Sequence, residues 1–296
     1  MMKISVIIPT LNAGGQIEAL LESLSGQSVK PDEILVVDSQ SQDDTCLRAQ
    51  AAGARVIPIL RKDFDHGGTR DMALRESMGD IVVFMTQDAL PVNRDFIRNL
   101  IAPLKNTSVA AVGGRQVAYP DARPFEKAVR ARNYPDMQRV WSAADIARLG
   151  VRAFLISDVC AAYRKEAYLA VGGFDHPILT NEDMLMAERL LHAGYALAYE
   201  GSAQVYHSHR FTLRQEYRRN YIIGQTMKRY EDRFEHVGEM GTGAKLAKDV
   251  LFDLVRGGHF IECFCFAANC AARLAGNRMG RRAQTRAMKQ KNGDKA

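Results

Sequence analysis

The chain has 296 residues, of which 47% are hydrophobic and 25% charged, a composition that excludes a mainly disordered, collagen-like or coiled-coil protein. Forty basic against thirty-four acidic residues give a formal charge of +6, which suits an anionic ligand or an anionic membrane surface. Nucleic-acid binding would need this excess on one face with aromatic residues interleaved, whereas most of it lies near the C-terminus. We therefore expect no nucleic-acid partner.

The cysteines and the apolar segments indicate in which cellular compartment the protein is expected. Five cysteines include no C-x-x-C pair, so we expect reduced thiols rather than a zinc or redox motif. The N-terminal apolar run is too short for a signal peptide, and no window approaches the ~18 to 20 apolar residues of a membrane span. These features predict a cytoplasmic protein without integral membrane topology.

The first half of the chain alternates β-branched runs with helical patterns. Strands are predicted at residues 4–8, 34–37, 55–60 and 81–85, and helices at 17–24, 43–52 and 69–78. Strands that are apolar on both faces and separated by helices predict a parallel sheet covered on each side. The fold class is therefore α/β, doubly wound.

Polar side chains follow three of these strands. In an open α/β sheet the ligand binds at the carboxyl ends of the strands, so we expect these residues to line one crevice: Thr10, Asn12, Asp38, Ser39, Gln87 and Asp88. The G-x-G-x-x-G dinucleotide motif is missing after the first strand, which disfavours a dehydrogenase.

The second half is less regular. A further strand is predicted at 110–113 and a helix at 182–192, with Gly194 as its stop. The chain after Thr212 looks entirely helical, and residues 281–296 are polar and basic enough to predict a disordered end.

Seven short motifs occur in order on the loops that this fold predicts to line the crevice. They are Val6-Ile7-Ile8-Pro9-Thr10-Leu11-Asn12, Glu33 to Asp43, Phe64-Asp65-His66-Gly67-Gly68-Thr69-Arg70, Phe84 to Ala89, Gly172-Gly173-Phe174-Asp175, Asn181-Glu182-Asp183 and Val205-Tyr206-His207-Ser208-His209. With them the chain resembles, over residues 3 to 230, the inverting family-2 glycosyltransferases of the GT-A fold, and among these the bacterial rhamnosyltransferase-like members.

The resemblance implies a nucleotide-diphospho sugar as donor, with dTDP-rhamnose favoured and a UDP-sugar as the alternative. The residues that it assigns to donor binding are Pro9, Thr10, Asn12, Asp38, Ser39, Arg70 and Gln87. Asp38 could instead cap a turn, and Arg70 could be an ordinary surface arginine.

The metal site implied by the resemblance departs from the family's D-x-D triplet, because this chain has Gln87-Asp88-Ala89. Asp88 would bind Mn²⁺ or Mg²⁺ with the donor phosphates, and His207 would be a further ligand because imidazole suits Mn²⁺ better than Mg²⁺. His209 is the weaker candidate. The alternative is a pair of polar histidines on one side of an edge strand.

The family's general base maps to Asp183, with Glu182 beside it at the start of a helix. An inverting transfer needs such a base to take the proton of the acceptor hydroxyl. In the alternative interpretation Thr180-Asn181 supplies the cap of the helix and both acids complement its dipole. Ser157 and Asp158 are assigned to the acceptor, with an ordinary turn as the alternative.

The C-terminal segment combines apolar residues between 246 and 274 with a basic end, the pattern of peripheral attachment to an anionic membrane. It could equally pack on the catalytic domain or on a second subunit of a homo-oligomer. The processive synthases' Gln-x-x-Arg-Trp motif is incomplete at Gln215 to Arg219, so we expect the addition of one or a few sugars.

Together these features predict a metal-dependent inverting glycosyltransferase that extends a glycan or lipid-linked acceptor in bacterial surface polysaccharide synthesis, on the inner face of the cell membrane. The expected division is a GT-A domain at 1–212 (nucleotide half 1–114, acceptor half 115–212), a helical extension at 213–280 and a basic tail at 281–296. Two alternatives stay open at this point, a nucleotidyltransferase acting on sugar phosphates and a non-catalytic glycan- or membrane-binding protein of the same fold.

Overall fold

A computed structural model describes residues 2–234, 237 and 242–293 of the chain. Its central sheet has the strand order β3-β2-β1-β4-β8-β6-β9-β5, and β7 pairs with β9. The strands are β1 (Ile4–Thr10), β2 (Glu33–Asp38), β3 (Arg55–Pro58), β4 (Ile81–Met85), β5 (Leu90–Pro91), β6 (Val109–Val117), β7 (Gln138–Trp141), β8 (Cys160–Arg164) and β9 (Ala196–Tyr206).

The helices cover both faces of this sheet and form the C-terminal part. They are α1 (Ile17–Ser25), α2 (Thr45–Ala51), α3 (His66–Glu76), α4 (Phe96–Ile101), α5 (Pro124–Asn133), α6 (Ile146–Leu149), α7 (Lys165–Ala170), α8 (Glu182–His192), α9 (Leu213–Arg229), α10 (Thr242–Arg256) and α11 (Phe260–Gly293). No helix in the described part of the chain combines the length and the apolarity that a membrane span requires.

The N-terminal half is the predicted doubly wound unit. Strand β1 pairs in parallel with β2 and β4, and β2 pairs in parallel with β3. Alternate residues of each strand enter two different cores, so that Ile7 and Phe84 pack on one face while Val6 and Val83 pack on the other. This two-sided burial explains why the strands are continuously apolar.

The second half of the sheet is mixed. Strand β8 lies between β4 and β6 and runs antiparallel to both, whereas β6 and β9 are parallel. Strand β8 is not apparent from the sequence, because its buried Ala161 and Ala162 have weak β propensity. Strand β9 is an inner strand, with β6 on one side and β5 and β7 on the other, so the proposed edge-strand position of the histidines is wrong.

Helix α3 begins at His66, three residues before the predicted start, because Asp65 caps it. The carboxylate of Asp65 accepts hydrogen bonds from the backbone N–H of Gly67 (2.8 Å) and of Gly68 (3.1 Å). A Cβ at Gly67 would overlap the carbonyl oxygen of Asp175. The Asp-His-Gly-Gly motif therefore docks the start of α3 against the segment before α8 and fixes the position of Arg70.

The structure differs from the prediction of a disordered end at 281–296, because α11 continues to Gly293. Helix α11 lies against α9 at very short range: a Cβ at Gly276 would overlap the carbonyl oxygen of Tyr217, and one at Gly280 that of Tyr221. Beyond this contact Arg281 lies 3.8 Å from Glu231. Packing against α9 thus stabilises a helix in a segment whose polar composition alone predicts disorder. Residues 294–296 lie outside the described residues.

Candidate active site

The polar residues after β1 and β2 meet as the sheet topology predicts. Thr10 and Asp38 are register partners at the ends of the two parallel strands, and the Thr10 hydroxyl donates to the Asp38 carboxylate at 3.0 Å. Asp38 also accepts from the backbone N–H of Ser41 (2.9 Å) and from its hydroxyl (2.5 Å). A carboxylate can accept about four hydrogen bonds, so Asp38 retains capacity for a ligand while it also holds the turn.

Three other residues assigned to the donor lie at the same edge. Pro9 is inside β1, opposite Val37, and the hydroxyl of Ser39 is buried without a hydrogen-bond partner among the described residues. Asn12 adopts a left-handed backbone conformation (φ 50°), and its side-chain oxygen accepts from the backbone N–H of Gln42 at 2.9 Å. The loop after β1 is thereby tied to the loop after β2.

Gln87 fastens the same loop from the other side. Its amide oxygen accepts from the backbone N–H of Leu11 at 2.8 Å, and its amide N–H donates to the carbonyl of Leu11 at 3.3 Å. An aspartate has no donor and could not form this reciprocal pair. Gln87, which replaces the first aspartate of D-x-D, therefore holds the backbone of the loop after β1.

A buried cluster of three carboxylates forms around Arg70. Glu182 and Asp158 are 5% and 3% exposed, and their carboxylates lie 3.2 Å and 3.7 Å from the Arg70 guanidinium. Asp183 is half-buried beside them and accepts from the backbone N–H of Asp158 at 3.4 Å. The structure therefore places Arg70, at 4% exposure, with the acids of α8 and not on the surface.

One arginine cannot neutralise three buried carboxylates, and the pKa values reflect this. Burial, together with the charge of Glu182, raises the pKa of Asp158 to about 7. Burial also raises the pKa of Asp183 well above the ordinary value, and the charges of Glu182 and Asp158 add to this effect. A carboxylate with a raised pKa is a stronger base than an ordinary aspartate, which suits the removal of a proton from a hydroxyl.

The structure does not support Asn181 as the cap of α8. Asn181 occupies the N-cap position in a left-handed conformation (φ 64°), but its side chain makes no capping hydrogen bond. Its side-chain oxygen is buried without a hydrogen-bond partner among the described residues, as are Arg70 Nε and Asp158 Oδ2, which lie 3.7 Å apart. Buried polar atoms without hydrogen-bond partners are costly unless a ligand or water satisfies them, and these three belong to the neighbour of Glu182 and to two residues of the carboxylate cluster.

Asp88, His207 and His209 come together at the carboxyl end of the sheet. Asp88 Oδ2 lies 3.5 Å from His207 Nε2 and 3.3 Å from His209 Nδ1, and one ligand atom from each residue lies within 4.8 Å of the others. Burial lowers the pKa of His207, and burial together with His207 lowers that of His209 to about 4. Both imidazoles are therefore neutral at pH 7, the form that binds metals.

The orientation of His207 is fixed by Gln116, a residue that the sequence analysis did not single out. His207 Nδ1 donates to Gln116 Oε1 at 2.9 Å, and Arg130 donates to the same oxygen. The Nε2 lone pair of His207 therefore points toward the carboxylate of Asp88, an arrangement that a cation between them would stabilise. The donor set of one carboxylate and two neutral imidazoles fits a divalent transition metal.

Ser157 and Asp158 are engaged by the protein itself. The Ser157 hydroxyl accepts from Gln116 Nε2 at 2.9 Å, and Asp158 Oδ1 accepts from the Tyr163 hydroxyl at 2.8 Å. No sequence motif marked Gln116 or Tyr163, since each reaches the site through long-range strand pairing, Gln116 opposite Val205 of β9 and Tyr163 opposite Ala111 of β6. The first bond connects Ser157 to Gln116, which orients His207, and the second orients Asp158 within the carboxylate cluster.

The chain is similar to known proteins of one family. Residues 5–172 match the family described as Glycosyl transferase family 2. The chain is 39% identical over 225 residues to an O-antigen chain rhamnosyltransferase of Salmonella typhimurium, covering 75% of this chain and 72% of the relative. It is 37% identical over 226 residues to an O-antigen chain rhamnosyltransferase of Salmonella anatum, and the match covers 76% of this chain and 72% of that relative.

Two solved structures share the fold. A mannosyltransferase from Pyrobaculum calidifontis in complex with GDP-Man and Mn²⁺ gives a TM-score of 0.63 at 18% identity and covers 93% of this chain and 87% of its own. Glucosyl-3-phosphoglycerate synthase from Mycobacterium tuberculosis in complex with Mn²⁺, UDP and glucosyl-3-phosphoglycerate gives a TM-score of 0.56 at 24% identity and covers 81% of this chain and 82% of its own. The fold is thus that of the GT-A glycosyltransferases. Since the sequence match spans more than half of the chain, the protein belongs to glycosyl transferase family 2 and is a glycosyltransferase.

Proposed function

We propose that this enzyme transfers a rhamnosyl group from dTDP-rhamnose, with inversion, to a lipid-linked glycan of a bacterial surface polysaccharide. The observation that carries the proposal is the 39% identity to an O-antigen chain rhamnosyltransferase over 75% of the chain. The family match speaks against a nucleotidyltransferase, and the enzymatic relatives speak against a non-catalytic protein of the same fold.

In this proposal the nucleoside lies across the ends of β1 and β2. Pro9 and Thr10 form its floor, Asp38 accepts from the base or ribose, and the free Ser39 hydroxyl supplies a further hydrogen bond. Asn12 contributes from the loop after β1. Gln87 acts as a positioning residue, because its amide holds the backbone of that loop. Arg70 acts on the acids of α8 rather than on the donor.

Asp88, His207 and His209 would hold a divalent cation, and their two imidazoles favour Mn²⁺ over Mg²⁺. The bound cation would neutralise negative charge on the departing diphosphate. Gln116 positions His207 through Nδ1, which leaves Nε2 free as a ligand atom.

Asp183 is the proposed general base, at the N-terminus of α8 and in contact with the backbone of Asp158. Glu182 positions Arg70, whose guanidinium keeps the cluster from carrying three uncompensated charges. Ser157 and Asp158 face the acceptor side, where Asp158 also raises the pKa of Asp183. The proton moves from the acceptor hydroxyl to the Asp183 carboxylate as that oxygen attacks the anomeric carbon.

A donor panel tests the proposal. We expect release of dTDP from dTDP-rhamnose in the presence of Mn²⁺ and a lipid-diphosphate glycan, and little release of nucleotide from UDP-glucose or GDP-mannose. The anomeric configuration of the product, measured by NMR, should be opposite to that of the donor. Transfer from UDP-glucose alone would contradict the donor assignment, and no transfer from any sugar nucleotide would contradict the function.

We also propose attachment to an anionic membrane through the turn between α10 and α11. Large apolar side chains on both sides of this turn are exposed, namely Phe252 (64%), Val255 (52%), Phe260 (63%), Ile261 (78%) and Phe264 (79%). The acidic residues near this turn form ion pairs with arginines of the catalytic domain. Asp249 and Asp253 pair with Arg132, and Glu262 pairs with Arg123. Lys248 and Arg256 stay exposed, so this surface is apolar and basic, as an anionic bilayer requires.

Replacing both Phe260 and Phe264 by aspartate should abolish sedimentation with vesicles that contain phosphatidylglycerol. The change removes exposed apolar surface and adds two negative charges, which the anionic vesicle repels. The control is Leu47→Asp, an apolar residue 71% exposed on α2, which should sediment like the wild type. Equal binding by all three proteins would refute the assignment. Point substitutions are preferable to removal of the C-terminus, which would also take away the contact of Gly276 and Gly280 with α9.

A further inference from the structure

A polar cavity of about 240 Å³ opens beside the metal-site histidines. Its walls come from α5, the segment after β9, α9 and α11. The charged lining residues are Glu126, Arg130, Glu216, Arg219 and Arg273, and Asn269 is a buried amide among them. The cavity is smaller than the pockets that usually hold a whole drug-sized ligand, which start at about 300 Å³. It fits a small polar group.

The charges around this cavity are unequally paired. Arg273 forms a two-pronged ion pair with the buried Glu216 (2.9 and 3.1 Å), and Glu126 caps the backbone of Arg123 at 3.3 Å. Among the described residues, neither Arg130 nor Arg219 lies within 4.0 Å of a carboxylate. Arg130 donates to the amide oxygen of Gln116 and lies over the ring of Tyr134, and Arg219 lies over the ring of Phe211. Two guanidinium groups are thus available to an anion.

The side-chain amide of Asn269 adds a neutral hydrogen-bonding group to the wall of the cavity. Asn269 is 6% exposed, and its side-chain amide makes no hydrogen bond within the part of the chain that the structure describes. Two guanidinium groups and an amide at a cavity of this size match the oxygens of a phosphate or a diphosphate, which arginine binds with several parallel hydrogen bonds.

The cavity is next to the reacting centre and connected to it. Ser208 and His209 form part of its lining, and Arg130 donates to Gln116 Oε1, the oxygen that also accepts from His207. None of the proposed nucleoside-binding residues lines it. An anion here would therefore approach the metal-site histidines from the side of α5, α9 and α11.

We propose that this cavity binds the diphosphate of the acceptor. The assignment rests on the proposed function, since only a lipid-linked acceptor brings its own diphosphate to the enzyme. The donor carries the same chemical group, so the experiment has to separate the two sources.

The probe is inorganic pyrophosphate, titrated by calorimetry into the full chain with EDTA present and dTDP in excess. We expect binding in the wild type and a loss of about tenfold in affinity in Arg219→Gln, which removes one charged hydrogen-bonding group. The matched control is Arg218→Gln, the neighbouring exposed arginine of α9 outside the cavity lining, which should bind like the wild type.

The outcomes decide between the sources. Competition between dTDP and pyrophosphate would show that the donor diphosphate uses the cavity, and equal affinity in Arg219→Gln and Arg218→Gln would refute the cavity as the site. As a second readout, Arg219→Gln should raise the KM for a lipid-diphosphate acceptor about tenfold with the KM for the donor unchanged. Failure of rhamnosyl transfer alone would contradict the proposed function and leave the pyrophosphate result standing.

Discussion

Replacing Asp183 by asparagine should lower kcat by roughly 10² to 10⁴-fold, the usual contribution of a positioned base. An amide has nearly the shape of the carboxylate, and its oxygen can still accept the 2.8 Å hydrogen bond from the backbone N–H of Met184. It cannot accept a proton at neutral pH. Donor and cation affinity should therefore stay close to the wild-type values, which calorimetry with dTDP and Mn²⁺ would measure.

The pH profile provides the control for this prediction. Because the pKa of Asp183 is raised, by burial first and then by Glu182 and Asp158, kcat should rise with pH as the cluster loses its proton. In Asp158→Asn one of these charges is gone, so the rise should move to lower pH. In Asp183→Asn the rise should disappear. A variant that loses stability but keeps its rate per folded molecule would show that Asp183 is structural.

The same raised pKa values affect stability with a definite sign. A carboxyl group with a raised pKa binds its proton more tightly in the folded than in the unfolded chain. The stabilisation is therefore complete below the unfolded pKa of about 4 and is lost as the pH rises through the folded value, which is about 7 for Asp158. The rate and the stability should change in opposite directions across this range.

Replacing Asp88 by alanine should abolish Mn²⁺-dependent binding of the nucleotide diphosphate. Asp88 is the carboxylate of the three-residue group with His207 and His209, and Gln87 is occupied by the backbone of Leu11. Two neutral imidazoles without an anion bind a hard divalent cation poorly. In a thermal-shift titration, ligand at 100 times its dissociation constant stabilises the wild type by about 2.7 kcal/mol, and the variant should lose the part that depends on Mn²⁺.

Asp121→Ala is the matched control for Asp88→Ala. Asp121 is an exposed aspartate that pairs with Arg210 in the segment that follows the histidines, so its loss changes the net charge equally without touching the three ligand atoms. It should keep the Mn²⁺-dependent shift. The metal assignment would be overturned if Asp88→Ala kept that shift as well.

The sequence was most informative where local pattern and tertiary role coincide. The strands β1, β2 and β4 are buried on both faces, so their continuously apolar sequence both predicts a strand and places that strand inside the sheet. Helix α8 was predicted with its observed limits because its buried face repeats at helical spacing and Gly194 ends it. The candidate site followed from the strand ends, where topology alone brings Thr10 and Asp38 together.

The sequence was uninformative where contacts depend on distant packing. Gln116 is on β6, Arg130 on α5 and His207 after β9, and only the pairing of β6 with β9 brings them together. Nothing in the spacing of Arg70 indicates that its partners would be Asp158 and Glu182, because the approach depends on how the start of α3 docks before α8. The sequence pattern did not reveal such long-range ion pairs.

The contact of Gly276 and Gly280 with α9 has a consequence for acceptor binding. The family match ends at residue 172, whereas α9 and α11, which supply Arg219, Asn269 and Arg273, lie beyond it. Any side chain at either glycine would push α11 away from α9 and displace those groups together. Under the acceptor assignment proposed above, a change in this helix pair would alter acceptor binding without altering the residues proposed to bind the nucleoside.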